Sequence, residues 1–502
     1  MATTPAHASS PLVLAIDAGT TGVTAIVFDL ELRPVSRAYA EFPQSFPSPG
    51  RVEHRAEDIL SAVDDTVGRA LEGAGGAPVA VGITNQRETL FALSAATGRA
   101  LAPGIVWQDR RTAARCAELR EAGHSAEVAA RTGLVIDPYF SATKAEWLIA
   151  NDEGVRAAAD AGDLRFLTVD GLIVHHLTRG ERWVTDPTNA SRTMLFDIGA
   201  RSYAPSLLEL FGVEEACLPE VVPSGGAFGE AHLLGAAGTV PIHGVLGDQQ
   251  AALFGQGCFE PGAMKTTYGT GCFLLLNTGA RRVDSSAGLL TTLAVDGRGE
   301  PCFALEGSAF AGGTVVQWLR DELGIIDDAA ASEELARSVP DTGGVVLVPA
   351  FAGLGAPHWD PGARAALLGL TRGSSRAHIA RAALEAIAHQ CADLVEALRE
   401  DSGESVARML VDGGAARNDL LMQRQADFAA LRVVRPGEVE ATARGAAAIA
   451  AVGAGLIDAP GLSRVLAAES RVFEPDANGV GVERTRWRDA IARVRSGPSS
   501  AS

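Results

Sequence analysis

Two stretches of this sequence, roughly 250 residues apart, spell the same local device. The first runs Leu12-Val-Leu-Ala-Ile16 into Asp17-Ala-Gly-Thr-Thr-Gly22 and leaves through Val23-Thr-Ala-Ile-Val-Phe28. The second runs Ala263-Met-Lys-Thr-Thr-Tyr268 into Gly269-Thr-Gly271 and leaves through Cys272-Phe-Leu-Leu-Leu276. Each predicts a strand, a tight turn rich in Gly and Thr, and a strand returning beside it. One such unit alone is a plain hairpin. Two of them, in a chain of 502 residues that is too long for one small core, predict a duplicated, two-lobed α/β architecture with a cleft between the lobes. The boundary falls at Gly255-Gln-Gly-Cys-Phe-Glu-Pro-Gly262, whose glycines and proline suit a hinge. The expected domains are therefore 11–254 and 255–495.

Composition narrows the partners. With 47% hydrophobic and 21% charged residues the chain is an ordinary globular protein. A net charge of −18 opposes unselective attraction to nucleic acid or an anionic membrane, so any phosphate site must be local. Of 43 basic residues only Lys144 and Lys265 are lysine. Neither follows a glycine, which excludes the Gly-Lys-Ser/Thr phosphate loop. Six scattered cysteines form no Cys-x-x-Cys pair, which argues against a zinc site and fits a reducing cytosol. The start, Met1 to Pro11, lacks the pattern of a signal peptide, and no apolar run is long enough to span a bilayer. The expected location is the cytoplasm.

Local patterns place several helices. Ser374 or Ser375 can cap a helix carrying Ile379, Leu384, Ile387, Cys391, Leu394 and Leu398 at helical spacing. A strand at Arg408–Val411 meets Asp412-Gly-Gly414, and another helix begins near Asp419. Residues 443–451 form a small-residue helix able to lie close against a sheet. Ser496 to Ser502 reads as a loose tail.

The first turn offers backbone N–H groups and two hydroxyls at one point. Such a nest can hold phosphate oxygens without a lysine, and Asp17 at the strand end can reach a magnesium ion through water. Gly269-Thr270-Gly271 supplies the matching second loop. A third, Asp412-Gly-Gly-Ala-Ala-Arg-Asn418, lets a flat ring approach Gly413 and Gly414; Asn418 can face adenine, cap the next helix, or do both.

The string Ile83-Thr-Asn-Gln-Arg87-Glu88 delivers a donor and an acceptor side by side, suited to a polyol or equally to a surface ion pair. Trp107 and Tyr139 can wall a small substrate or simply fill a core. Asp248 follows the apolar run Gly244-Val-Leu-Gly247 and opens a helix, where a carboxylate is favoured electrostatically. It reads either as an N-cap or as a base for an attacking alcohol.

In this order the residues resemble the FGGY family of carbohydrate kinases, its glycerol kinases in particular, whose fold is related to actin and the Hsp70 ATPase domain. The resemblance runs from about Leu12 to about Gly455 and includes Gly82-Ile-Thr-Asn-Gln-Arg-Glu88, Thr132-Gly-Leu-Val-Ile-Asp-Pro-Tyr-Phe-Ser141, Thr188-Asn-Ala-Ser-Arg-Thr-Met-Leu-Phe196, Gly247-Asp-Gln-Gln-Ala-Ala-Leu-Phe-Gly-Gln256 and Tyr268-Gly-Thr-Gly-Cys-Phe273. It implies ATP-dependent phosphorylation of glycerol to sn-glycerol 3-phosphate, with Asp248 as general base. Arg87, Glu88, Tyr139, Asp248 and Gln249 would hold the hydroxyls, and Trp107 and Phe273 the carbon side. Thr20, Thr21, Gly22 and Thr270 would meet the phosphates, Gly313 and Gln317 would flank the nucleotide, and Gly414 and Asn418 would meet its base and ribose. Asp17 and Asp248 would lie near Mg2+. A homo-oligomer, dimer or tetramer, is the family default.

Three departures stand out. Thr24 occupies the place of an arginine beside the phosphates. The segment Gly238-Thr-Val-Pro-Ile242 lacks the arginine with which some relatives bind fructose 1,6-bisphosphate. Glu230 stands where others carry a phosphorylatable histidine. The competing readings are an FGGY kinase for another polyol or a pentulose, and a non-catalytic nucleotide switch of the actin or Hsp70 kind.

Overall fold

Alternate residues of the first strand answer to different cores. In β1 (Leu12–Ala18), Leu14 and Ile16 join one apolar cluster and Val13 and Ala15 join another. Side chains alternate across a strand, so β1 is covered on both faces, as a central strand of an α/β sheet must be. The structure, a computed structural model, describes residues 11–233, 238–360, 362–437, 440–466 and 470–495. The start through residue 10 and the expected tail Ser496 to Ser502 lie outside these.

β2 (Gly22–Phe28) returns antiparallel beside β1, and β3 (Pro34–Glu41) antiparallel beside β2. On the other side, β4 (Pro78–Asn85) runs parallel to β1 and β6 (Val240–Gly247) parallel to β4. β5 (Gly229–Ala231) closes that edge antiparallel. The order is β5-β6-β4-β1-β2-β3.

One face of this sheet packs on helix Ala56–Ala74 through Ile59, Val63 and Val67. The other packs on helix Ala441–Gly453, a run of small residues. That contact is backbone on backbone. A Cβ on Gly82 of β4 would lie 2.0 Å from the Ala446 carbonyl oxygen, and one on Gly244 of β6 would lie 2.6 Å from the Ala450 nitrogen. The small-residue helix therefore does lie close against a sheet, as its composition predicts.

A second sheet repeats the plan. β7 (Met264–Tyr268) pairs antiparallel with β8 (Cys272–Gly279) and parallel with β11 (Arg408–Asp412). β12 (Arg432–Pro436) lies parallel to β11, and β13 (Ser470–Phe473) antiparallel to β12. With β9 (Leu290–Val295) and β10 (Pro301–Ala309) the order is β9-β10-β8-β7-β11-β12-β13. Set β3-β2-β1-β4-β6-β5 beside β10-β8-β7-β11-β12-β13, and the strands correspond one to one. The two Gly/Thr turns join β1 to β2 and β7 to β8, so the repeat seen in the sequence is a repeat of the fold.

Helix Arg376–Ser402 begins at Ser375, which forms a capping box with His378, and Asn418 caps helix Asp419–Ala429. The chain divides into two compact units. The first is Met1–Phe259 with Thr292–Phe303 and Ala441–Ala467; the second is Glu260–Thr291, Ala304–Glu440 and Ala468–Ser502. A single cut at residue 254 differs from this in the two returning segments. The later one contains helix Ala441–Gly453, whose glycine and alanine contacts tie it to the first sheet.

Candidate active site

Three parallel strands of the first unit end level. Register pairs Ala18 with Asn85, and Asn85 with Gly247. From this row the chain enters Gly19-Thr20-Thr21, Gln86-Arg87-Glu88 and Asp248-Gln249-Gln250. The carboxyl edge of parallel strands is where open α/β sheets gather ligands.

Arg87 and Glu88 are each only 2% exposed, which removes the surface ion-pair reading. Their mutual contact is long, 3.8 Å, and each has a nearer partner. Arg87 Nε lies 3.2 Å from Asp248 Oδ1. Its Nη1 donates to Gln250 Oε1 at 3.2 Å and its Nη2 to the Tyr139 hydroxyl at 3.4 Å. Glu88 Oε1 accepts from Arg192 Nε at 2.7 Å. Glu88 also has φ +61°, and the Thr89 N–H bonds back to the Arg87 carbonyl at 2.7 Å. A left-handed non-glycine residue costs on the order of 1 kcal/mol or more, and such strain persists only where the surroundings impose it. Here the turn lets two consecutive side chains both reach inward, which a regular strand forbids.

Asp248 opens helix Asp248–Gly255, but the N-cap is Gly247. The carboxylate instead faces Arg87 and accepts the Gln249 N–H at 2.7 Å. A Cβ on Gly247 would sit 2.7 Å from Arg87 Cδ, so only glycine lets the arginine pass. Gln249 is buried beside it. Trp107 and Tyr139 meet edge to face at 5.7 Å, and Trp107 Nε1 donates to Thr20 Oγ1 at 2.9 Å. This ties the aromatic wall to the first turn. The turn is closed by Gly19 N–H donating to Gly22 O at 3.0 Å; Thr21 is exposed, and a Cβ on Gly22 would lie 2.5 Å from the Ala40 oxygen of β3. Asp17 pairs across β1 and β2 with Thr24.

In the second unit, Gly269 N–H donates to Gly271 O at 3.0 Å, and the loop is braced from behind. Gly312 N–H donates to Thr270 O at 2.9 Å and Gly313 N–H to Gly269 O at 2.7 Å, at the start of helix Gly313–Asp321. Thr270 and Gln317 are exposed and Phe273 half-buried on β8. The two glycines after β11 divide their work. Gly413 has φ +87°, and a Cβ there would lie 2.6 Å from the Tyr268 oxygen, so it serves packing. Gly414 has open space beside it. Asn418 Oδ1 caps its helix by accepting from Leu421 N at 2.9 Å, and its amide reaches Ser332 Oγ at 3.4 Å.

The N-terminal domain of the FGGY family of carbohydrate kinases matches residues 12–255, and the C-terminal domain of that family matches 264–454. The chain belongs to this family. It is 54% identical to the glycerol kinase of Aromatoleum aromaticum, over 96% of this chain and 98% of that protein. It is 49% identical to the glycerol kinase of Shewanella sp. strain MR-7, over 96% and 99%. The crystal structure of Plasmodium falciparum glycerol kinase with ADP superposes with a TM-score of 0.89 at 32% identity, covering 97% of this chain and 99% of that one.

Three residues of this FGGY kinase shape the site without standing out as motifs. Arg192, fully buried, holds the Glu88 carboxylate; it lies inside the Thr188–Phe196 string that carries the family resemblance. Gln250 braces Arg87 and donates to the Leu293 carbonyl at 3.0 Å. Lys144 lies beneath Glu88 and Tyr139 and is one of only two lysines in the chain. Its scarcity was the available signal.

Proposed function

We propose that the chain transfers the γ-phosphoryl group of ATP to a terminal hydroxyl of glycerol, giving sn-glycerol 3-phosphate and ADP. The observation that carries this reading is the cluster of Arg87, Glu88, Tyr139 and Asp248 at the level ends of three parallel strands. Neighbouring hydroxyls need donors and acceptors in pairs. Arg87 donates, Glu88 accepts, and Tyr139 and Gln249 can do either. Trp107 offers the carbon chain an apolar wall, and Phe273 is assigned the same task.

Asp248 takes the proton of the attacking hydroxyl, while Arg87 holds its carboxylate in place. The turn Thr20-Thr21-Gly22 and the Thr270 loop meet the phosphates. Gly313 and Gln317 flank the nucleotide, the open side of Gly414 admits the base, and Asn418 lies at base and ribose. Positioning and charge stabilisation carry most of the acceleration in such transfers.

Asp17 and Asp248 fit a magnesium ion, which takes one or two carboxylates and keeps water in its remaining positions. Among the described residues no group of three or more His, Cys, Asp or Glu could form a full cage, so this sparse donor set is the kind available. When bound, the ion neutralises phosphate charge. All six cysteines are buried and outside any disulfide, and no helix among the described residues is long and apolar enough to cross a membrane. A cytoplasmic location goes with this reading.

ADP release by the purified protein with ATP and magnesium, measured across glycerol, dihydroxyacetone, erythritol and xylulose, tests the assignment. Glycerol should give the highest kcat/KM. Preference for the pentulose would sink it, and turnover independent of any polyol would favour a nucleotide switch.

A further inference from the structure

Lys144 lies in the first turn of helix Ala142–Asn151 and is fully buried. Its Nζ donates to the Glu88 carbonyl at 3.0 Å and to the Tyr139 carbonyl at 2.7 Å. Ser141 Oγ donates to the same Glu88 carbonyl, also at 3.0 Å. Donors from one helix start thus converge on the backbone of two residues whose side chains line the proposed hydroxyl site.

The choice of lysine is informative in a chain that otherwise uses arginine. The other lysine, Lys265, is buried too, and its Nζ donates to Thr267 Oγ1 at 2.8 Å and to the Phe273 carbonyl at 3.4 Å. A guanidinium is a broad planar fork, whereas an amine is compact and fits between backbone oxygens. Burial pushes Lys144 down to about 7. The neutral amine keeps two N–H donors, one for each carbonyl, so both bonds survive loss of the proton.

We infer that Lys144 is a positioning residue: by pinning the Glu88 and Tyr139 carbonyls it holds the left-handed turn at Glu88 and sets where the carboxylate and the phenol meet the alcohol. Arg192 fixes the Glu88 side chain, donating to its Oε1 at 2.7 Å, while Lys144 acts on the backbone. Without the amine, the Glu88 carbonyl loses a 3.0 Å donor at a residue whose φ is +61°. A displacement of about 1 Å at a substrate-positioning group can cost up to ~100-fold. This inference rests on the glycerol reading above.

The test compares steady-state constants for wild type, Lys144→Met, Lys144→Ala and Ser141→Ala. Lys144→Met keeps length and removes the donors; its glycerol KM should rise by about tenfold or more while the ATP KM stays within about twofold. In Lys144→Ala, n-propylamine replaces the deleted atoms and should restore the glycerol KM, whereas 1-propanol should not. Ser141→Ala, too small a change to unfold the protein, should raise the glycerol KM a few-fold. An unchanged glycerol KM in Lys144→Met would overturn the inference. So would parallel loss of both KM values and of folded protein with no rescue by the amine. Should Lys144→Met fail to fold, the amine rescue and Ser141→Ala decide. Wild type without glycerol-dependent turnover would overturn the glycerol reading instead.

Discussion

Asp248 keeps 31% of its side chain exposed, while Arg87, 3.2 Å away, keeps 1%. The difference supports the roles proposed for them. A buried cation needs its partner, because leaving it unpaired costs several kcal/mol, about 3–5 in comparable sites. Arg87 is therefore fixed, and the acid it holds is the group an incoming alcohol can reach. Asp248→Asn keeps the shape and removes the proposed base, so kcat should fall by roughly 10²–10⁴ with the ATP KM little changed. Near-normal turnover in a steady-state assay would take the role from Asp248. The adjacency of Arg87 and Glu88 was plain in the sequence. Their burial, and their closer pairing with Asp248 and Arg192 than with each other, was not, because partners 104 and 161 positions away meet only when the sheet forms.

Helix Ala441–Gly453 touches β4, β6 and the helix that begins at Asp248. Its grip on that last helix is set by glycines: a Cβ on Gly255 would lie 2.2 Å from the Ala441 oxygen, and one on Gly445 1.9 Å from the Ala251 oxygen. Two effects then compete in Gly445→Ala. Alanine improves helix propensity by about 1 kcal/mol. Overpacking against a backbone that cannot yield costs about 1–3 kcal/mol or more, and at 1.9 Å the upper end applies. We expect a net loss of about 2 kcal/mol in urea unfolding, with a fall in kcat as Asp248 shifts. A stabilised variant would show that the helix has room to move. The small-residue composition announced a close contact. Which sheet it closes on was decided by the chain's return to the first unit after the second.

At the scale of the whole molecule, acid sensitivity follows from what is buried. His54 is 1% exposed, packs edge-on against Phe42, and has no hydrogen-bond partner at either ring nitrogen among the described residues. Burial lowers it to about 4. His389, stacked between Phe428 and Trp487, is also pushed down by burial and then by Arg484. A lowered histidine leaves the unfolded chain binding more protons, so stability is full above about pH 6.5 and is lost as pH falls toward the folded value. Asp170 opposes this. Burial raises it to about 6, so it favours the folded state as pH falls from 6 toward 3.8. A difference isolates one group. Between pH 7 and 4, wild type should lose up to about 3 kcal/mol more than His54→Phe, read from urea unfolding at each pH. Equal slopes would mean that His54 does not titrate in this window.

By itself, the sequence determined what local chemistry encodes. Two Gly/Thr turns specified the repeated hairpin, because a tight turn and its flanking strands are contiguous. The Ser374-Ser375 pair and Asn418 marked helix starts, and Gly247-Asp248 marked the junction of strand and helix. Tertiary structure decided everything that depends on distant segments lying side by side. It brought β1, β4 and β6 to one level, buried Arg87 and Glu88, and seated Arg192 and Lys144 behind them. It also turned Gly413 into a packing residue and left Gly414 open. The reason is physical: burial and register are properties of neighbours across a sheet, and those neighbours lie tens to hundreds of positions apart along the chain.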